Sequence, residues 1–323
     1  MQSVSKNKLQ ELQNIISRMP LEVFCVVALP ELGVKWRDVS KAVRNARLPM
    51  QSSSVARVLS RHVAKALSAD EVDDIVAKLR LKLVATQPRT WHVMRLLDRC
   101  VDEPVTLTMR AAPGRITQLL RKAKNRGMRP EVQTVFLGDL MYLSLQLVSD
   151  QKEGSVLYVA CPLGEPVMLV SSFTMAGLLK ACVEGLGYKK YETAQLHGRD
   201  IYSLLRINDR GWTANPDQLT RVPEYAPTPV ITANGIDFTN KTYDENYIEN
   251  ILGPNPPLLT DFNIKSTKPF FDQSRLNKSI SLSVSLKTED VAKTLKAWVT
   301  KGALAPTSDF IQIFHQIKSN KIE

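Results

Sequence analysis

Residues 139–172 read DLMYLSLQLVSDQKEGSVLYVACPLGEPVMLVSS, and the class of fold turns on them. Leu140–Val148, Val156–Cys161 and Val167–Ser172 are apolar segments of strand length, separated by the turn-forming DQKEG and PLGEP. Strand-length apolar runs joined by such turns predict an antiparallel meander. The sequence before this stretch has the opposite texture. Leu9, Leu12, Ile15, Ile16 and Met19 recur at helical spacing ahead of Pro20. Leu21 to Ala28 predicts a second short helix closed by Pro30, and Trp36, Val39 and Val43 a third. Val55, Val58, Leu59, Val63, Ala66 and Leu67 form one stripe of a fourth. Ser68 with Glu71 makes a capping box for a fifth, which carries Val72, Ile75, Val76, Leu79 and Leu83. Beyond the turn TQPR, Trp91, Met94 and Leu97 predict a sixth. Six short helices in the first hundred residues predict an orthogonal bundle.

Between bundle and meander, residues 104–110 (PVTLTMR) alternate like a short strand, with Val105, Leu107 and Met109 on one side. A basic helix over 115–125 follows, with Ile116, Leu119 and Leu120 inward and Gly127 as its cap. After the meander, Met175, Leu178, Leu179, Cys182, Val183 and Leu186 predict an amphipathic helix, and Ile201 to Ile207 a further apolar segment. Residues 208–257 are rich in Pro, Asn, Thr and Asp and predict a long, weakly structured connection. ISLSVSL at 280–286 alternates as a strand. Thr288, Glu289 and Asp290 open a helix (Val291, Leu295, Trp298, Val299) that Gly302 ends, and 309–317 predict a final strand. The expected class is α+β in three parts: helical domain 1–100, basic bridge and α+β domain 101–207, and connection with C-terminal strand-helix-strand module 208–323.

Charge narrows the function. The 323 residues carry 43 Lys and Arg against 32 Asp and Glu, a net +11. Residues 1–130 hold 24 basic and 11 acidic side chains, and the remainder 19 and 21. A front half of that sign predicts a polyanion-binding surface, the alternative being a basic solvated face with no partner. No apolar run reaches the length of a membrane span, and the first residues lack the apolar core of a signal peptide. Cys25, Cys100, Cys161 and Cys182 stand far apart, so a disulfide or zinc framework is not expected and reduced thiols are.

Motifs for catalysis are missing. Gly185 and Gly187 lack the third glycine and the preceding strand of a dinucleotide loop. The four histidines, His62, His92, His197 and His315, are isolated, with no pair at helical metal-ligand spacing; His62 reads as a core-edge residue. Asp73 and Asp74 point about 100° apart on a helix and cannot share a site. No catalytic residue, metal or cofactor is expected.

Three basic clusters are the candidate site. The first is Arg18, then Lys41, Arg44 and Arg47 at three-residue spacing, and Arg89 before Trp91. The second is the bridge helix, with Arg121 and Lys122 leading to Lys124 and Arg126. The third is Lys152 at a hairpin tip, with Lys189, Lys190, His197 and Arg199 in the loops beyond. Helix ends and hairpin tips suit phosphate contact. Interleaved aromatics are scarce, which favours a duplex backbone over a single strand. For each cluster, scattered solvated charge is the competing reading.

The order of elements resembles the centromere protein N family, subunits of the inner kinetochore, over nearly the full length. IISRMPLEVF (15–24) is similar to that family's first helix and the step into its second. SADEVDDIVAKLRLKLVATQPRTWHVMRLL (68–97) is similar to its apolar helix and basic-plus-Trp turn. DLMYLSLQL (139–147), LVSSF (169–173) and LHGRDIYSLL (196–205) follow its meander and basic segment. LSVSLKTEDVAKTLKAWVTKGALAP (282–306) resembles its closing strand, helix and turn. The resemblance implies an N-terminal pyrin-like (death-fold) domain followed by an α+β domain, which together form a basic groove on nucleosomal DNA. It also implies a C-terminal sheet that pairs with centromere protein L, and a nuclear place at the centromere and kinetochore. Matched to that family, Arg18 and Arg89 fall on basic DNA-contacting positions of its helical domain. Arg199 falls on a basic position of its α+β domain, where His197 replaces another. Lys152 lies in the equivalent hairpin, and Lys41 to Arg47 lie near a family basic position. One departure stands out. Where the family reads the centromeric histone variant with acids in its first helix, this chain has Lys6 and Gln10, with only Glu11 nearby.

The sequence therefore predicts a non-enzymatic nuclear subunit that binds duplex or nucleosomal DNA and joins a centromere protein L-like partner and other inner-kinetochore subunits. Neither a membrane nor a small-molecule substrate is expected. Leu282, Val284 and Leu286 on the closing strand, and Ile311 and Ile313 on the last one, are the candidate partner-facing residues, with ordinary core strands as the alternative. The competing functions are an adaptor whose basic surface binds an acidic protein, and a nucleic-acid-processing enzyme with an unfamiliar site.

Overall fold

A computed structural model describes residues 5–102, 104–123, 127–149, 154–210, 224–232, 235–237, 241–272, 275–315 and 317–322. The chain divides into two compact units, Met1–Arg89 with Leu96–Tyr191, and Thr90–Arg95 with Glu192–Glu323. The helical front and the meander, which the sequence separates at residue 100, belong to one unit.

The first unit begins with α1 (Lys6–Arg18), whose Leu12, Ile15 and Ile16 are buried. α2 (Leu21–Val23) runs on through a π turn, Phe24–Ala28, and a 3-10 turn, Leu29–Leu32, to a left-handed Gly33. Pro30 sits inside this run instead of ending it. Proline brings no N–H, and the Val27 carbonyl is taken by the buried Lys82, whose Nζ lies 2.6 Å from it and 2.7 Å from Glu31. α3 (Trp36–Asn45), α4 (Ser52–Ala66) and α5 (Ala69–Thr86) complete the helices, and the Ser68–Glu71 capping box opens α5 as expected. One apolar core joins Leu12, Ile16, Phe24, Val39, Val43, Val55, Leu59, Val63, Val76 and Leu79.

The sixth helix is replaced by a strand, β1 (Trp91–Arg99). Trp91, Val93, Met94 and Leu96 are all buried, so both faces of the strand are covered and the apolar run loses its alternation. Spacing of three at Trp91, Met94 and Leu97 then imitates a helix. The reverse error occurs at 104–110. These residues are the first turns of α6 (Val105–Lys122), which starts after Pro104 and contains Pro113. The alternation of Val105, Leu107 and Met109 misleads there. α6 ends at Lys122 with Ala123 as its C-cap, ahead of Gly127.

The meander stands as predicted, with β3 (Leu140–Val148), β4 (Leu157–Pro162) and β5 (Val167–Val170), joined by an unexpected β2 (Arg129–Leu137). β2–β3, β3–β4 and β4–β5 are antiparallel; Val132 faces Leu145, and Leu143 faces Val159. α7 (Ala176–Gly185) and β6 (Tyr188–Gly198) follow, and the antiparallel six-stranded sheet runs β2-β3-β4-β5-β1-β6. The division into units falls within β1 and β6. α5 lies against β2 and β3, and α6 against β2 and α7.

The second unit contains α8 (Ile201–Arg210), the short pair β7 (Val230–Thr232) and β8 (Gly235–Asp237), and α9 (Lys241–Leu252). The connection is thus not uniformly bare: α9 buries Tyr247, Ile248, Ile251 and Leu252. β9 (Asp261–Asp272) and β10 (Arg275–Lys287) pair antiparallel, with Val284 opposite Ile264. α10 (Val291–Thr300) is N-capped by the Asp290 side chain, which accepts from the Lys293 N–H at 3.1 Å. The predicted last strand is a helix, α11 (Asp309–His315). FIQIF alternates by eye, but Ser308 and Asp309 start a helix that buries Ile311 and Phe314, and Phe262 meets Phe314 edge-on at 5.8 Å. β11 (Lys321–Ile322) closes the sheet in the order β10-β9-β11.

Candidate nucleic-acid interface

The helices of the first unit present the basic residues. Arg18 ends α1, exposed. The Ser52 hydroxyl, at the start of α4, donates to the carbonyl of the next residue, Met19, at 2.7 Å. The end of α1 is thereby tied to the α3–α4 turn, where Arg47 holds a left-handed φ of 53°. Lys41 and Arg44 lie on the exposed side of α3, whose Val39 and Val43 face the core. Arg18, Lys41, Arg44 and Arg47 meet no carboxylate among the described residues. Sequence reasoning missed a further row. Arg37 precedes Lys41 by one turn, and Arg57, Arg61 and Lys65 stand at intervals of four on α4, all exposed. The signal is the spacing of four itself, on the side of α4 away from the apolar stripe of Val55, Leu59 and Val63. α4 contains no acidic residue at all. His62, read as core-edge, is exposed on the same helix.

Arg89 is held differently. Its guanidinium stacks 4.5 Å above the ring of Tyr158 on β4, a cation–π contact that holds the side chain in place. Tyr158 borders a small crevice of about 30 Å³ between α5 and the sheet, shared with Arg80, Glu131 and Gln146. Arg121 and Lys122 occupy the last turn of α6, exposed, where cations favour the helix dipole. Lys189 and Lys190 are exposed on β6, a strand where the sequence suggests a loop. Lys190 reaches Asp98 at 2.9 Å, an exposed pair that spends part of its charge locally. Lys152, Lys124 and Arg126 lie outside the described residues.

The second unit holds His197 and Arg199. Arg199 is exposed. His197 is turned inward: its Nε2 donates to Asp261 Oδ2 at 2.8 Å, and its ring lies 5.5 Å from that of His92. The buried Asn320 completes a clasp. Its Nδ2 donates to the Asp261 carbonyl at 2.9 Å and to Asp261 Oδ1 at 2.8 Å, and its Oδ1 accepts the His197 N–H at 2.7 Å. Burial and the neighbouring His197 hold the His92 imidazole below the usual histidine range, only partly offset by Asp261. The clasp ties β6, β9 and the C-terminal strand together, and nothing in the sequence marks it, because its members lie 59 and more residues apart from Asn320.

Among the partner-facing candidates, Val284 and Leu286 are half-buried on β10, which borders its sheet and has β9 as its one partner strand among the described residues. Ile311 faces the core of the second unit from α11 and is fully buried, so it cannot present a strand face to another chain. Ile313 is half-buried on the same helix. The side chain of Leu282 lies outside the described residues.

Among the described residues, no three His, Cys, Asp or Glu side chains gather as a metal site, and no helix is long and apolar enough to cross a membrane. No family model matches the chain, and no curated protein matches it.

Proposed function

We propose that this chain is a non-enzymatic inner-kinetochore subunit that binds duplex or nucleosomal DNA at the centromere in the nucleus. In this reading its helical front is a pyrin-like (death-fold) domain. The edge strand β10 pairs with a centromere protein L-like subunit. The observation that carries the proposal is the set of exposed cations on the helices of the first unit: Arg18 on α1, Arg37, Lys41 and Arg44 on α3, Arg47 in the turn after it, and Arg57, Arg61 and Lys65 on α4. Asp38, exposed on α3, is one acid among eight cations, and an excess of exposed guanidinium and ammonium groups is what a phosphate backbone requires.

Direct reading of the centromeric histone variant through acids is not part of the proposal. Lys6 and Gln10 are exposed where acids would be needed, and Glu11 is already ion-paired with Arg80. The test uses the purified 323-residue chain, a short duplex and an acidic peptide at moderate salt. Reversing Arg18, Arg44 and Arg47 to Glu should abolish duplex binding and leave the fold intact by circular dichroism. Unchanged DNA binding would overturn the proposal; binding of the acidic peptide without DNA would replace it with the adaptor reading.

A further inference from the structure

The outer face of α1 carries chemistry that backbone binding does not use. At 3.6 residues per turn, Leu12, Ile15 and Ile16 face the core, and Lys6, Asn7, Gln10, Asn14, Ser17 and Arg18 fall on the opposite side, all exposed. That face holds two cations, three carboxamides and a hydroxyl. The helix has one carboxylate, Glu11, and Arg80 engages it through Nε at 3.1 Å. Asparagine is a weak helix former, and an exposed Gln–Asn pair four residues apart supports a helix only slightly, so helix stability alone is a poor reason for Asn7 and Asn14. An acidic protein surface would be met by charge; a row of amides fits a partner that offers donors and acceptors side by side.

Gln10 Nε2 donates to Asn14 Oδ1 at 3.3 Å. This leaves the Gln10 oxygen as an acceptor beside the Asn14 amino group as a donor. Adenine shows the complementary pair in the major groove, an N7 acceptor next to an N6 donor. Lys6 and Arg18 stand about 18 Å apart along the helix, at a rise of 1.5 Å per residue, and can take phosphates at its two ends. A helix fits the major groove, whose width is about 12 Å.

We propose that α1 is a recognition helix, in which Gln10 and Asn14 read an adenine edge in the major groove of duplex DNA. This rests on the DNA-binding reading above and adds sequence preference to it. The test is selection from a randomised duplex pool with the full chain, followed by fluorescence anisotropy on the selected site. The selected duplex should contain adenine and bind at least about tenfold more tightly than a scrambled one. Placing 7-deazaadenine at that position, which removes the N7 acceptor alone, should cut the preference by roughly fivefold or more. Asn14→Ala should do the same and leave the salt dependence unchanged. Equal binding to every duplex, or a preference that survives Asn14→Ala, would overturn the recognition helix and leave the DNA reading standing. Failure to bind any duplex would remove both.

Discussion

At the scale of single residues, the buried polar groups carry consequences that the exposed charges do not. His92 sits beside His197 and Asp261, and His315 is half-buried with its ring near the Ile251 backbone; burial lowers the pKa of both. An unfolded chain takes up a proton on each imidazole near the ordinary value of about 6.5, before the folded chain does. The unfolded state then binds more protons, so stability rises with pH across the window just below that value. Urea midpoints should be constant at neutral pH and above and fall as the pH drops through about 6 toward 5. Replacing His92 by Gln should flatten part of that fall. A midpoint that stays level or climbs on acidification would contradict this.

At the scale of elements, α7 hands over to β6 at Gly187, which has φ of 87°, in the left-handed region. A Cβ there would lie 2.9 Å from Val101 Cγ2 and 3.1 Å from Thr108 Cγ2, with Thr108 itself buried on α6. Gly187→Ala should cost about 1–3 kcal/mol, read as a lower thermal midpoint, because both the backbone and the packing resist it. An unchanged midpoint would show that α6 yields freely. Much of the element order was legible in the chain. The Ser68–Glu71 box, the meander, ISLSVSL and the Asp290 start all announce themselves locally. The errors share one physical origin. Trp91–Leu97 and FIQIF are short apolar runs whose partners lie elsewhere in the fold, and periodicity alone cannot assign such runs. The cations were legible as residues, and the intervals of four at Arg57, Arg61 and Lys65 make a row because that segment is helical. His197 needed Asp261 and Asn320, which only the folded chain brings to it.

For the molecule as a whole, the uneven charge is the property that function would use. The net +11 comes from the front of the chain, and the helices of the first unit display much of that excess as exposed side chains. Phosphates neutralised by such a face release counterions, so affinity depends on salt with a slope set by the number of contacts. Association measured across a series of salt concentrations with one duplex addresses this without any variant. With about six phosphate contacts, log affinity should fall against log salt with a slope near −5, at roughly 0.9 per contact. A slope near zero would contradict a cationic DNA-binding surface, however well the rest of the fold is understood.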